Sequence, residues 1–418
     1  MISGRRLTLP LSAALLLAAA GSAYPWPSWV RNAIFAAGYY KHSRLTTLFS
    51  FNPADRKGSG LPAAGLTSAF GALIGTTELP AIAFQATPPA GLSKSWSVQK
   101  LATLNTYTAT PLTPVAHGTV FGTEPNDVFM LTAGENGVKK TIAYTFTGGA
   151  DGTNPSDGLT IGPDGALYGA ATGGAYNAGV LYRLAPTIEG GFQQSVIYTF
   201  TGGTDGSNPD GSLAFDSEGR LVGSAAGGGN LRCDGYYYSG CGVLFRLEPG
   251  RAGEPWRFKV LHRFAGSWDG ARPGDIAIDA EDNIFGATES GGASFGGTVY
   301  EALASRRGAN IHYSVRALWN FTFGDDGYTP ATKLAIDASG ALYGTSQGGK
   351  FGAGTAFIVV PPYTPGGSWT FSVLHSFNGT DEGVDPAGGL LLDKAGRLYG
   401  TTLYGGAHNG GTIFRLVP

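Results

Sequence analysis

Pro386 to Leu416 reads PAGGLLLDKAGRLYGTTLYGGAHNGGTIFRL, and this stretch decides the fold. It parses as an apolar strand, an Asp-x-x-Gly turn, a strand ending in Leu-Tyr-Gly-Thr, a Gly-Gly loop and a strand ending in Arg-Leu. An Asp opening such a turn bonds backbone two residues on, and the following Gly accepts positive φ. The same turn recurs at Asp216 and Asp337, and at Asp279 with Asp282 in the glycine's place. Working outward, the glycine closing the second strand recurs as Gly75, Gly122, Gly169, Gly223, Gly286, Gly344 and Gly400, at spacings of 47 to 63 residues. Periods of about 40 to 50 residues are those of propeller blades, with the excess in loops. The sequence therefore predicts an all-β chain, a seven-bladed β-propeller of four-stranded blades.

Short runs such as Leu390-Leu391-Leu392 are apolar on both faces, as an inner strand between two neighbouring blades requires. The fourth strand ends at Phe51, Leu104, Phe146, Phe200, Phe264, Phe321 or Phe377. Another large side chain stands eight residues earlier in six copies (Trp96, Val138, Phe192, Trp256, Tyr313, Trp369), and two more apolar positions lie three and two residues before the end. Period-two packing is the expectation for all of them. Blades are expected at 60–104, 111–146, 155–200, 209–264, 273–321, 330–377, and 386–416 completed by 45–51. The first two have lost the Gly-Gly loop.

The last unit stops after its third strand, while Leu45–Phe51 reads as a fourth strand with no unit before it. The two deficits match. A ring closed by this N-terminal strand also removes the free sheet edges that a linear array would keep.

Glycine accounts for 68 of 418 residues and charged residues for 14%, against about 25% in typical domains. Apolar and aromatic material is ample for a core. A net charge of −2 without a basic stripe argues against nucleic-acid binding. Arg5 and Arg6, the apolar run Leu7–Ala20 and the small residues Gly21-Ser22-Ala23 read as a signal peptide over 1–23. Residues 24–44 read as a linker, with one short helix near Val30–Ala37. No later run is long and apolar enough to span a bilayer. A monomer, periplasmic or secreted, is expected.

The pattern D-x-x-G-x-L-Y-G-T-T…G-G…G-T-x-F-R-L resembles the GloVer tandem-repeat family, exported bacterial repeat proteins taken to be β-propellers. The likeness covers 140–418 well and 45–140 weakly. It implies the propeller fold and export, but no activity and no catalytic residues. Family members often carry a surface anchor; this sequence ends at Pro418 after the last blade, which fits a free exported protein.

In a four-stranded meander, the loop between strands two and three opens on the same face as the blade-to-blade loop. That face, the top, carries Asp151, Asp205, Asp269 and Asp326 in Asp-Gly pairs, with Asp381 in the variant Asp381-Glu382-Gly383. Hard cations take carboxylate oxygens, so a calcium ion or a polyol at the channel mouth is one reading. Turn chemistry repeated because the blade is repeated is the stronger one. Among the six His, His262 and His375 fill a mostly aromatic position and read as packing, while His408 sits in the top-face loop of blade 7. Cys233 and Cys241 lie in a blade 4 insertion, CDGYYYSGC. In an exported chain they are expected to form a disulfide that constrains the loop displaying Tyr236, Tyr237 and Tyr238. No H-E-x-x-H, G-x-S-x-G or P-loop motif is present. The expectation is a non-catalytic binding or scaffold module for a carbohydrate, protein or small-molecule ligand at the top face. The alternative is an enzyme, a lyase or a glycan- or lactone-acting hydrolase, with its site at the channel mouth. Polar residues unique to a few blades and converging on the axis would separate the second from the first.

Overall fold

The computed structural model describes residues 43–418, apart from 55–59, 63, 91–94, 106–109, 116–117, 157, 210, 234–238, 252–253, 308–309, 332 and 365. The expected signal peptide, the linker up to His42, His117 and Tyr236–Tyr238 lie outside the described residues.

Seven antiparallel sheets form the ring, and each blade runs from an inner first strand to an outer fourth strand. What spaces them is one contact made in every blade. The glycine of the second strand lies under the aromatic ring of the third: Gly75 under Phe84, Gly122 under Phe129, Gly169 under Tyr182, Gly223 under Phe245, Gly286 under Tyr300, Gly344 under Phe357 and Gly400 under Phe414. A Cβ on any of these glycines would fall 2.4–2.7 Å from the ring. Only glycine lets the ring lie this close. The first strand's leucine, such as Leu213 or Leu390, closes on the same spot in most blades.

Buried side chains gather into seven apolar clusters, one between each pair of neighbouring blades. At six of these interfaces the fourth strand's terminal Phe meets the next blade's third-strand ring edge-on, with centroids 5.0–5.4 Å apart. Leu104 takes that place between blades 1 and 2. Hydroxyls just after the second-strand glycine add cross-blade hydrogen bonds: Thr76 to the carbonyl of Thr110, Ser224 to Gly274, Thr345 to Pro386 and Thr401 to Ala64.

The outer strands depart from strict alternation. In every blade the register slips by one residue, passing over Leu48, Leu101, Ala143, Ile197, Leu261, Leu318 or Leu374. Such a β-bulge puts the residues before and after it on opposite sides. Trp256 and Phe258 accordingly pack between blades 3 and 4, while Leu261 and Phe264 pack between blades 4 and 5. Period two would have put Trp256 and Phe264, eight apart, on one face. In blade 7 the same slip sets Leu45 against blade 6, and Leu48, Phe49 and Phe51 together against blade 1, where Leu48 was expected on the other face. Each outer strand thus clamps its blade to both neighbours.

Closure follows the expected route. Arg44–Ser50 pairs antiparallel with Thr412–Val417, from Arg44 opposite Val417 to Ser50 opposite Thr412. Phe51 is fully buried, its ring 5.3 Å from Phe84, and its N–H donates to the Gly411 carbonyl. The Asp-x-x-Gly turns also form as read. Asp216, Asp279, Asp337 and Asp393 each accept the backbone N–H groups two and four residues on. Cys233 and Cys241 are joined, with Cα atoms 5.3 Å apart.

Deleting residues 44–51 should lower the melting temperature sharply or cause aggregation through the freed edge. Burial of a Leu or Phe is worth roughly 1.5–3 kcal/mol each, and Leu45, Leu48, Phe49 and Phe51 all lose contacts. Grafting the segment after Pro418 with a short linker should restore most of the loss. A deletion variant that melts with the intact chain would show that the ring is not held this way.

Candidate functional site

The top face begins with the repeated carboxylates. Each stands five residues after the terminal Phe, where the chain leaves the outer strand for the next blade. Asp151 accepts the Tyr144 hydroxyl and the Thr147 N–H and hydroxyl. Asp205 repeats this with Tyr198 and Thr201, and Asp326 with the Trp319 ring N–H and Thr322. Asp269 bonds the Ala265 N–H and the His262 ring. In the last copy the carboxylate is Glu382, which bonds His375 and the Asn378 N–H. Asp381, the residue expected there, is exposed, and its carbonyl accepts from Thr47.

These groups are held against the outermost strand of their own blade, and their oxygens are engaged within the turn. Burial would raise the carboxyl of Asp205. The Thr201 hydroxyl and N–H and the Tyr198 hydroxyl outweigh it and hold the group below the usual carboxylate range. Asp151 is held down in the same way by Thr147 and Tyr144. Burial first, and then the neighbouring carboxylate, push the hydroxyls of Tyr144 and Tyr198 up. Among the described residues, no three of His, Cys, Asp and Glu form a group that could hold a metal ion. His408 is exposed on its loop.

What this face presents instead is aromatic. Seven aromatic side chains stand among the exposed large hydrophobics of the described residues, and six belong to top-face loops or their edges: Tyr176, Trp268, Phe295, Phe323, Phe351 and Tyr404. Tyr363 is on the opposite face. Two of the six sit in strained backbone. Phe323 has φ +61°, at the position filled by Gly148, Gly202, Gly266 and Gly379 in the other blade-to-blade loops. Phe295 has φ +62°, at the Gly-Gly loop position filled by Asn177, Gly352 and Asn409. A bulky residue with positive φ is an outlier that costs about 1–3 kcal/mol and tends to mark a functional site. Phe323 stacks on Tyr328 with centroids 5.0 Å apart, and Trp268 lies edge-on to His262. None of these rings belongs to a motif, so the sequence alone did not mark them. Aligning the loops by blade would have found the two phenylalanines, because each replaces a residue the repeat selects for its backbone.

The family described as the Gloeobacter/Verrucomicrobia repeat matches residues 106–300 and 232–418. No curated protein matches the chain. Among solved structures, one from Lactobacillus plantarum is 12% identical, covering 76% of this chain and 84% of its own, with a TM-score of 0.50. A putative oxidoreductase (glucose dehydrogenase) from Thermus thermophilus is 15% identical over 90% of this chain and 100% of its own, at 0.44. A gluconolactonase from Xanthomonas campestris is 12% identical over 90% and 89%, at 0.40. At these identities the likeness bears on fold alone, and the two lower scores carry no argument.

Asp269→Ala should lower the melting temperature by the loss of the Ala265 N–H and His262 bonds to a buried carboxylate, about 1–3 kcal/mol, equally with and without calcium. A loss seen only with calcium present would contradict a turn role. Because the carboxyls of Asp151 and Asp205 are held down, their stabilisation is complete above the ordinary carboxylate range and fades as pH falls through their lowered values. The melting-temperature gap between the native chain and an Asp151→Asn, Asp205→Asn variant should therefore narrow below about pH 4. A gap that widens on acidification would reverse the sign.

Proposed function

The chain belongs to the Gloeobacter/Verrucomicrobia repeat family, and we propose that it is an exported, non-catalytic binding propeller that holds a carbohydrate on its top face. One observation carries the reading: Phe295 and Phe323 are exposed in left-handed backbone positions that the repeat otherwise gives to glycine or asparagine. Phe323 stacks on Tyr328 but stays 58% exposed, and Phe295 stays 74% exposed, so packing within the loops covers less than half of either side chain. Strain and exposure are both offset if a ligand covers the rings. Trp268 and Phe351, on neighbouring loops of blades 4 to 6, extend the same surface.

The class of ligand follows from how the rings are presented. They stand on separate loops of neighbouring blades. Flat apolar faces at intervals suit the C–H faces of successive sugar rings. The engagement of the repeated carboxylates in turns supports a binding role over hydrolysis by an acidic pair at those positions. Export is supported by the N-terminal sequence and by the Cys233–Cys241 disulfide, which persists in oxidising compartments. Among the described residues, no helix is long and apolar enough to cross a membrane.

The test is retention of the purified protein on cellulose, chitin, xylan and pectin. At least one should retain the native chain. Trp268→Ala, Phe295→Ala and Phe323→Ala should each weaken retention roughly tenfold, as loss of a central aromatic contact does, with melting temperature held. If none of the four polysaccharides retains the protein, or the variants bind as the native chain does, a carbohydrate-binding face is excluded.

A further inference from the structure

The axis of the ring breaks the repeat in a second place. The first strands of blades 2 to 6 enclose a cavity of about 190 Å³. Its wall is set by the residue just before the buried leucine or isoleucine of each first strand. Blades 1, 3 and 7 place glycine there (Gly65, Gly158, Gly389) and blade 2 proline. Blades 4, 5 and 6 place Ser212, Asp275 and Lys333. One side of the channel is therefore close to bare backbone, and the other bears a hydroxyl, a carboxylate and an ammonium group in consecutive blades.

The bare side is tight. A Cβ on Gly389 would come within 2.6 Å of the Lys333 stem, and one on Gly65 within 3.2 Å of the Gly389 nitrogen. Gly65 and Gly389 stand where the next blade leaves little room for a Cβ, and the side chains are on the opposite arc. Asp275 is 6% exposed, and one carboxylate oxygen accepts the Ser212 N–H. Lys333 is exposed and makes no ion pair among the described residues. The channel hydroxyls of Thr113 and Thr160 are committed to the carbonyls of Leu159 and Leu213 in the next blade. Among the described residues that line the cavity, the charged groups are one cation, Lys333, and one carboxylate, Asp275.

We propose that this channel binds a small carboxylic acid that also carries hydroxyl or ammonium groups. An ammonium point charge selects a carboxylate, and charge-assisted hydrogen bonds are the strong ones. A carboxylate offers about four acceptor sites, so Asp275 can take a donor from the ligand alongside the bonds it already makes within the protein. Liquid water occupies about 30 Å³ per molecule, so the cavity holds roughly six waters or one ligand of that bulk. An acid of three or four carbons fits that measure. The site is independent of the aromatic face and stands or falls separately from it.

Calorimetric titration with glycerate, lactate, serine and alanine tests it, with propionate as the acid that lacks a donor. At least one of the first four should bind, and propionate at least tenfold more weakly. Lys333→Met removes an exposed side chain, so the fold should hold, and binding should weaken roughly tenfold or more. Asp275→Asn, kept only if it melts near the native chain, should erase the preference over propionate. The Phe295→Ala, Phe323→Ala pair should leave the titration unchanged. Binding of none of the four acids, equal binding of propionate, or undiminished binding by Lys333→Met would overturn the proposal.

Discussion

Everything in this ring depends on an aromatic ring lying against a glycine. The contact recurs in each blade and sets how closely the second and third strands can be overlaid by the neighbouring blade. The terminal aromatic of the preceding blade then meets that same ring edge-on at six of the seven interfaces. Because the contact between blades 7 and 1 matches the internal ones, closure is the same interaction made once more, with Phe51 and Phe84 as the pair. A chain built this way repeats nearly the same interface around the ring, and the edges it keeps are those of the outer strand of each blade.

Such uniformity made the fold legible. The recurring glycine and the apolar residue ending each fourth strand carried the blade count, and the unmatched strand at the N-terminus carried the closure. The Asp-x-x-Gly turns form as their sequence reads. The outer strands were misread, because a bulge adds a residue without demanding a particular one. Ile197 and Tyr198, adjacent in sequence, both pack between blades 3 and 4. Read as period two, they point to opposite faces. Asp381 was misplaced for a simpler reason: the Asp-Gly pairing was followed where distance from the terminal Phe decides. Counted from Phe377, Glu382 occupies the place that Asp269 occupies after Phe264.

The candidate site was less legible because it lies in departures from the repeat, while the repeat itself draws attention. The conspicuous carboxylates are turn chemistry. The informative residues are those that replace what the repeat would have chosen: Phe323 for glycine, Phe295 for asparagine, Asp275 and Lys333 where three blades leave glycine. They cluster in blades 4 to 6, beside the disulfide-bonded insertion. In a symmetric scaffold with one differentiated sector, the ring supplies rigidity, and the proposed recognition would fall to those three blades.

The central claim is that the differentiated residues are retained at a structural cost. The melting temperature of a Phe295→Asn, Phe323→Gly variant, which restores the residues used by the other blades, tests it most directly. Relief of left-handed strain at two phenylalanines, of order 1–2 kcal/mol each, offsets the added chain entropy of glycine, about 0.5–1 kcal/mol. The account predicts a melting temperature unchanged or higher than that of the native chain. A fall of several degrees would mean that the two rings hold the loops together, and it would contradict their assignment to a ligand.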